Sequence, residues 1–286
     1  ERQVQGFYTK NELERIIQRR STVKSFKDVA TKKEIADRYY QEEAIRSVSE
    51  HLENKYRKAL LVMATGTGKT RTTIALADVL MRAGWAKRIL FLADRTALVR
   101  QAVNAFKQHL PETNPINLLD DKDAKESRVV VSTYQTMMGL IDETKGEEQK
   151  RFSVGHFDLI VIDEAHRSVY HKFGAIFEYF DSLLLGLTAT PKDDVDINTY
   201  RLFELEDGVP VYNYHMDEAV SDEYLLPLKA MSVPVKFQRE GISYDELSDE
   251  EQLEWDVLDW GEDEIPDHVS PGALNAWLFN QDTVDK

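Results

Sequence analysis

One short segment of the sequence carries residue types that bind phosphate. Residues 65–70 read TGTGKT and follow an apolar run that ends at Met63. Glycines let backbone N–H groups point at phosphate oxygens, a lysine adds a full positive charge, and the neighbouring hydroxyl is a ligand for Mg²⁺. The spacing predicts a phosphate-binding loop that opens a helix, although Met63 occupies the place of the first glycine in the general pattern. The predicted nucleotide ligands are Gly66, Thr67, Gly68, Lys69 and Thr70, with Thr70 also on the metal.

A second segment carries two adjacent carboxylates. Asp163 and Glu164 directly follow the apolar run Leu159 to Ile162. Like charges beside a phosphate site need a cation, and Mg²⁺ is the obvious one. We predict that Asp163 holds the metal and that Glu164 takes a proton from an attacking water, with Lys69 as the third catalytic residue. The alternative is an acidic cap on a helix that follows a strand.

The elements that must position these residues are indicated by the hydropathy pattern. Apolar runs of strand length alternate with amphipathic segments at residues 70–83 and 96–110, which predicts a parallel sheet with helices on both faces. Polar clusters follow these runs, and ligands of such sheets bind outside the carboxyl ends of the strands. We therefore expect the clusters to meet at one edge. The predicted strands are Ala59–Met63, Ile89–Ala93, Val129–Val131, Leu159–Ile162 and Leu183–Leu187.

The composition narrows the class of protein. The chain has 286 residues, 42% of them apolar, and no cysteine, which excludes disulfides, thiolate nucleophiles and cysteine-bound zinc. Its apolar runs are far shorter than the roughly 20 residues of a membrane span, so we expect a cytoplasmic protein with no membrane association. The net charge of −15 is concentrated near the carboxyl end, where no Lys or Arg lies between Arg239 and Lys286. The acidity therefore does not argue against a nucleic-acid partner for the rest of the chain.

Three motifs, in this order and spacing, resemble those of a known family. MATGTGKT at 63–70, DEAH at 163–166 and LTATP at 187–191 are similar to motifs I, II and III of superfamily 2 helicases and translocases. The longer strings ILFLADRTALVRQA at 89–102 and VPVKFQREGISY at 233–244 resemble the motor subunit, R, of type I restriction enzymes. The likeness runs over most of the chain, and we expect the chain to be part of a longer polypeptide.

The resemblance implies a domain organisation. It predicts a RecA-like α/β ATP-binding lobe at residues 35–228. A helical arm at residues 1–34 is expected to precede the lobe, and an acidic connector at residues 229–286 is expected to lead toward a second lobe.

The resemblance also implies roles for individual residues. Gln41 matches the glutamine that reads adenine in such motors. DNA-backbone contacts are implied for Arg95, Thr96, Ser132 and Thr133. Coupling between the nucleotide site and the neighbouring lobe is implied for His166, Thr188 and Thr190.

The implied function is ATP-driven movement of double-stranded DNA, with ATP and Mg²⁺ as cofactors. The enzyme would be an ATP hydrolase within a type I site-specific deoxyribonuclease, and its partners the methyltransferase and specificity subunits. Motifs IV to VI, which include the arginines that reach the γ-phosphate, are absent after Pro191, so the chain alone is expected to be weakly active. Two alternatives remain open: another superfamily 2 motor, such as an RNA or repair helicase, and a nucleotide-gated scaffold without turnover.

Overall fold

The computed structural model describes residues 7–120, 127–142, 152–165, 167–190, 195, 197–227, 242–248, 252, 255 and 267–270. The chain divides into two compact units, residues 1–227 and 228–286. The three predicted segments at 1–34, 35–228 and 229–286 stay a prediction. Most of the acidic connector lies outside the described residues.

The first unit alternates helices and strands along the chain. Its helices are α1 Lys10–Thr22, α2 Tyr39–Glu53, α3 Lys69–Arg82, α4 Thr96–His109, α5 Tyr134–Asp142, α6 Arg167–Tyr179, α7 Ile197–Leu202 and α8 Met216–Ser221. Its strands are β1 Lys58–Met63, β2 Ile89–Ala93, β3 Ile116–Asn117, β4 Val129–Thr133, β5 Leu159–Ile162, β6 Leu183–Thr188 and β7 Tyr212–Tyr214. In the second unit, β8 Ile242–Ser243 pairs antiparallel with β9 His268–Val269. No helix in the described part of the chain has both the length and the apolar character needed to cross a membrane.

The seven strands of the first unit form one sheet in the order β3-β4-β2-β5-β6-β1-β7. Every pairing is parallel, for example Leu61 of β1 beside Leu187 of β6. The five predicted strands are β1, β2, β4, β5 and β6, and the two predicted amphipathic segments are α3 and α4. Sequence reasoning missed only the short edge strands β3 and β7, whose two or three residues are too few to show a pattern.

Both faces of the sheet are covered, because successive strand residues point to opposite sides. Leu61 and Met63 pack in one core with α2, α3 and α4. Leu60 and Val62 pack in the other core with α5, α6 and α7. A strand buried on both faces must be apolar throughout, which accounts for the continuous apolar runs. The predicted RecA-like α/β fold, a parallel sheet with helices on both faces, is confirmed.

Helix α1 packs at the amino ends of the central strands, on the edge away from the phosphate-binding segment. Thr9 and Glu12 form a capping box at its start. At its end, Arg19 Nη1 donates to Asp158 Oδ1 at 2.8 Å, and the same carboxylate accepts the backbone N–H groups of Lys87 and Arg88. The carboxyl edge of the sheet is therefore left for the candidate site.

Candidate active site

The predicted phosphate-binding loop joins β1 to α3 at the carboxyl edge of the sheet. Gly66 and Gly68 adopt φ angles of +87° and +90°, and Gly68 is the N-cap of α3. A Cβ added at Gly68 would lie 2.6 Å from Gln41 Nε2. Glycine is therefore required at position 68 both for its left-handed backbone and for the close approach of Gln41.

Two side chains at the start of α2 donate hydrogen bonds to the backbone of this loop. The Tyr40 hydroxyl donates to the Thr67 carbonyl at 2.8 Å, and Gln41 Nε2 donates to the same oxygen at 3.0 Å. The C=O and N–H of a trans peptide point in opposite directions. Fixing the Thr67 carbonyl toward α2 therefore aims the Gly68 N–H away from α2, to the open side of the loop. Thr67 itself is buried, and its hydroxyl donates to the Ala64 carbonyl at 2.6 Å.

The first residues of α3 present donors that the protein does not use. Among the described residues, no group accepts a hydrogen bond from the backbone N–H of Gly68, Lys69 or Thr70, or pairs with the Thr70 hydroxyl. Lys69 Nζ donates to the Met63 carbonyl at 3.3 Å, so the ammonium group folds back over the loop. Free N–H groups at a helix start, together with the helix dipole and a lysine, make an anion-binding site.

The acidic pair lies in the turn after β5. The Asp163 N–H donates to the Leu92 carbonyl at 3.0 Å, and the Ala165 N–H donates to the Leu187 carbonyl at 2.7 Å. The turn is thus held by the ends of both neighbouring strands, β2 and β6. Between these anchors Glu164 adopts a φ of +52°, a left-handed conformation that is unfavourable for a residue with a side chain.

Electrostatics link the acidic turn to the phosphate loop. Burial, and next the charge of Glu164, raise the pKa of Asp163 from 3.8 to about 6, while the Lys69 ammonium opposes the rise. The raised pKa means that the negative charge of Asp163 is unfavourable in its surroundings, and a bound cation would offset that charge. No cluster of three or more His, Asp or Glu residues is found within the described ranges. A metal here would complete its shell with phosphate oxygens and water, as Mg²⁺ commonly does.

The predicted DNA contacts lie at the same edge, at the ends of β2 and β4. Arg95 and Thr96 are exposed at the start of α4, and Arg95 Nε is 3.4 Å from Asp94 Oδ2. Thr133 begins the turn into α5, where its Oγ1 accepts the Thr136 N–H at 3.2 Å. Ser132 is fully buried and its hydroxyl donates to the Thr133 carbonyl. All four contacts stay predictions, and the geometry favours the exposed Arg95 and Thr96 over the buried Ser132 and Thr133.

Two of the predicted coupling residues, Thr188 and Thr190, lie at the carboxyl end of β6, which is between β1 and β5 in the sheet. Thr188 is buried, and its Oγ1 accepts the Thr190 N–H at 3.1 Å. Thr188 therefore lies between the phosphate loop and the acidic turn, a suitable place for the predicted coupling. His166 lies outside the described residues. Gln41 Oε1 is buried without a partner in the described part of the structure, and its role as a reader of adenine stays a prediction.

Sequence reasoning missed the tyrosines that support these loops. The Tyr40 ring stacks on Tyr214 with centroids 4.0 Å apart and planes at 12°, and Arg38 donates to the Tyr40 hydroxyl at 2.8 Å. The Tyr134 hydroxyl donates to the Asp163 carbonyl at 2.7 Å. The only signal in the sequence is proximity, because Tyr40 precedes Gln41 and Tyr134 follows Thr133.

Comparison with known proteins shows which protein family the chain matches. Residues 34–193, more than half of the chain, match the family described as "Type III restriction enzyme, res subunit". The endonuclease subunit of the type I restriction enzyme EcoAI from Escherichia coli is 37% identical over 213 residues, which cover 71% of this chain and 25% of that subunit. The chain thus spans about a quarter of the length of this relative.

Solved structures share this fold. A fragment of a putative HsdR subunit of a type I restriction enzyme from Vibrio vulnificus YJ016 is 27% identical with a TM-score of 0.51, covering 76% of this chain and 38% of that one. A nuclease-deletion mutant of the Type ISP restriction-modification enzyme LlaGI, in complex with a DNA substrate mimic, shares the fold at 22% identity and a TM-score of 0.50, covering 65% and 20%. The predicted resemblance to type I restriction enzyme R subunits is confirmed. The chain therefore belongs to the type III restriction enzyme, res subunit family, and it carries a helicase-like lobe similar to those of type I restriction enzyme endonuclease subunits.

Proposed function

We propose that this chain binds ATP with Mg²⁺ and that, within a restriction enzyme, the energy of hydrolysis moves double-stranded DNA. One observation carries the proposal. The unused donors and the lysine of the phosphate loop share one sheet edge with Asp163 and Glu164, closely enough for the Lys69 charge to act on the pKa of Asp163. An anion-binding helix start beside a carboxylate pair is the arrangement that phosphoryl transfer uses.

The residues present fit both the nucleotide and the ion. The N–H groups of Gly68, Lys69 and Thr70 would bind phosphate oxygens, and Lys69 would leave the Met63 carbonyl to reach the terminal phosphates. The Thr70 hydroxyl, which has no partner among the described groups, and Asp163 would hold Mg²⁺. When bound, the ion would offset charge on the phosphates. The buried and unpaired Gln41 Oε1 would accept a hydrogen bond from the amino group of adenine.

Glu164 is the proposed general base. Its backbone is fixed by the hydrogen bonds on either side of it, from Asp163 to Leu92 and from Ala165 to Leu187. A base held by the ends of two strands keeps its place while the attacking water loses a proton. The left-handed φ of Glu164 is retained because the chemistry needs a carboxylate at this point of the turn.

Among the described residues after Thr190, no arginine lies beside the phosphate loop. After Thr190 the sequence holds only Arg201 and Arg239. Arg201 lines a cavity with Lys58, at the amino end of β1. Six strand residues separate that end from the phosphate loop by about 20 Å. Since such an arginine is worth roughly 10³ to 10⁵ in rate, we expect the chain alone to bind ATP but to hydrolyse it slowly.

The proposed DNA contacts are to the sugar-phosphate backbone. Arg95 and Thr96 are exposed at the end of β2, next to the end of β4 with Ser132 and Thr133. An arginine and hydroxyl groups position phosphates without reading bases. Binding by the lobe is therefore expected to be weak, independent of sequence and sensitive to salt. Sequence recognition and DNA modification are proposed to belong to specificity and methyltransferase subunits of the restriction complex.

Nucleotide titration tests the proposal. Lys69→Ala should weaken Mg-ATP binding by about 10- to 150-fold, through loss of a charge-assisted contact of roughly 1.5 to 3 kcal/mol. Lys87→Ala, an exposed lysine at the opposite sheet edge, is the matched control and should bind as the parent does. Equal titration curves for Lys69→Ala and the parent would contradict the site.

Measurements of ATP hydrolysis test catalysis separately from nucleotide binding. Residues 1–286 should hydrolyse ATP slowly with or without duplex DNA, and a longer chain that includes a second lobe should regain DNA-stimulated hydrolysis. Fast, DNA-stimulated hydrolysis by residues 1–286 alone would show that the second lobe is not needed for the chemistry.

A further inference from the structure

A buried tyrosine joins the predicted DNA-binding edge to the acidic turn. Tyr134 is the first residue of α5 and has no exposed surface. Its hydroxyl donates to the Asp163 carbonyl at 2.7 Å. The preceding residue, Thr133, is a predicted DNA contact, and its Oγ1 accepts the N–H of Thr136 in the first turn of α5. One side chain therefore connects the start of α5 to the turn that holds the proposed general base.

The bond acts on the one strained peptide of the site. The Asp163 carbonyl belongs to the peptide that leads into Glu164, whose φ is +52°. The turn is held at three points, and two of them are carbonyls at the ends of β2 and β6. These two belong to paired strands of the sheet. The third holder, Tyr134, is mounted on the first turn of a helix, so it is the one whose position can follow a ligand.

The Tyr134 side chain is suited to transmit a small displacement. Its ring stacks on Phe173 with centroids 5.3 Å apart and planes at 17°, which leaves it little rotational freedom. Burial, with the nearby charges of Asp163 and Asp94, raises the pKa of Tyr134 well above its ordinary value. The hydroxyl therefore stays protonated and remains a donor. A rigid ring with a fixed donor moves as a unit with the backbone of α5.

We propose that Tyr134 is a positioning residue that transmits DNA occupancy at the start of α5 to the orientation of Glu164. The inference rests on the proposed function, since it assumes that duplex DNA contacts this edge and that Glu164 is the base. Phosphate binding at the first turn of α5, where Gln135 is exposed and Thr133 is buried, shifts that turn. The Tyr134 hydroxyl carries the Asp163 carbonyl with it, and the Glu164 carboxylate turns toward the water. This connection is separate from the one predicted through Thr188 and Thr190.

The test is Tyr134→Phe in the intact protein, which removes the hydroxyl and keeps the ring against Phe173. Tyr179→Phe is the matched control, because Tyr179 is also buried and its hydroxyl donates to the Phe152 carbonyl at 2.7 Å, away from the site. ATP hydrolysis is measured with and without duplex DNA. We expect the DNA-stimulated kcat of Tyr134→Phe to fall about fivefold to tenfold, the effect of one lost hydrogen bond. The KM for ATP should stay within about twofold of the parent value.

Two outcomes would overturn the inference. If Tyr134→Phe and Tyr179→Phe are stimulated by DNA equally well, the hydroxyl does not transmit DNA binding. If the longer parent protein that includes the second lobe hydrolyses ATP at the same rate with and without DNA, the proposed function fails, and the inference fails with it. The first outcome leaves the proposed function intact, so the two failures are distinguishable.

A binding measurement keeps the test valid if Tyr134→Phe loses stability. A non-hydrolysable ATP analogue should tighten duplex binding by the parent and, by the reciprocity of linked binding, DNA should tighten binding of the analogue by the same factor. In Tyr134→Phe this factor should fall to about one, whereas an unchanged factor would contradict the inference.

Discussion

The turns after β1 and after β5 both pass through left-handed backbone at the same sheet edge, but they use opposite residue types. The phosphate loop uses Gly66 and Gly68, which adopt this conformation without strain. The acidic turn uses Glu164, for which the same conformation costs about 1 to 2 kcal/mol. A loop that uses glycine can hold its shape with few contacts, whereas the acidic turn depends on hydrogen bonds from its neighbours.

The two turns also share one hydrogen-bond arrangement. In each, a buried tyrosine hydroxyl donates to the carbonyl that precedes the left-handed residue, Tyr40 to Thr67 and Tyr134 to Asp163. Both rings are stacked, Tyr40 on Tyr214 and Tyr134 on Phe173, and both stand in the first turn of a helix, α2 and α5 respectively. The two turns therefore differ in the residue that adopts the left-handed backbone, which is unstrained glycine in the phosphate loop and strained glutamate in the acidic turn. The predictions below test this difference.

The largest effect is expected from Glu164→Gln. The variant keeps the shape of the turn and removes the base, so ATP hydrolysis by the intact protein should fall by about 10² to 10⁴. Nucleotide affinity should be unchanged, because the phosphate loop is intact. Steady-state turnover and nucleotide titration check the two parts. Glu223→Gln, at another left-handed glutamate (φ 63°), is the control, and retained turnover in Glu164→Gln would remove Glu164 from the chemistry.

The next effect is expected from Gly68→Ala. The new Cβ meets Gln41 Nε2 at 2.6 Å in a backbone with φ +90°, so the free energy of unfolding should fall by about 2 to 4 kcal/mol. Gly208→Ala is the matched control, since Gly208 has φ +74° and open space around it, and it should lose only about 1 kcal/mol. Chemical denaturation measures both. Equal losses would show that the approach of Gln41 is unimportant.

Asp163→Asn should stabilise the ligand-free protein in a pH-dependent way. Because the pKa of Asp163 is raised from 3.8 to about 6, its contribution to stability is full below about pH 4 and is lost as the pH rises through 6. At pH 7.5 the variant should be more stable than the parent by about 1 to 3 kcal/mol, and at pH 4 the difference should vanish. Unfolding free energies across this range, without Mg²⁺ or nucleotide, check it.

The exposed Asp207 provides the control for that experiment. Asp207→Asn should show no comparable change between pH 4 and 7.5. A variant Asp163→Asn that is equally stable with the parent at all pH values would mean that the carboxylate pair is not strained by its own charge.

The smallest change in stability is expected from Glu164→Gly. Glycine relieves the left-handed strain, so stability should rise by about 0.5 to 1 kcal/mol while hydrolysis is lost. Glu223→Gly should gain a similar amount without loss of hydrolysis. A loss of stability in Glu164→Gly would show that the glutamate side chain itself helps to hold the turn, and would weaken the contrast between the two turns.

Most of the architecture could be predicted from the sequence, because each strand and the phosphate loop are specified by residues that are neighbours in the chain. Apolar runs predicted five of the seven strands of the parallel sheet. The spacing of Gly66, Gly68, Lys69 and Thr70 predicted the phosphate loop, because the residues of that loop lie within one stretch of chain. The motifs also placed the chain in its family. What the motifs could not predict was accessibility, as Ser132 illustrates: a hydroxyl at the end of a strand has the same sequence signature whether it faces solvent or the interior.

The sequence by itself thus determined which residues are proposed to carry the chemistry, because residue type and short spacing predict a phosphate-binding loop and an acid pair. Only the tertiary structure decided how they are held. The left-handed Glu164, the raised pKa of Asp163 and the bonds from Tyr40 and Tyr134 depend on the strand order β2-β5-β6-β1 and on helices packed across it. Tyr134 and Asp163 are 29 residues apart in the chain, and no local pattern encodes which distant hydroxyl reaches a given carbonyl.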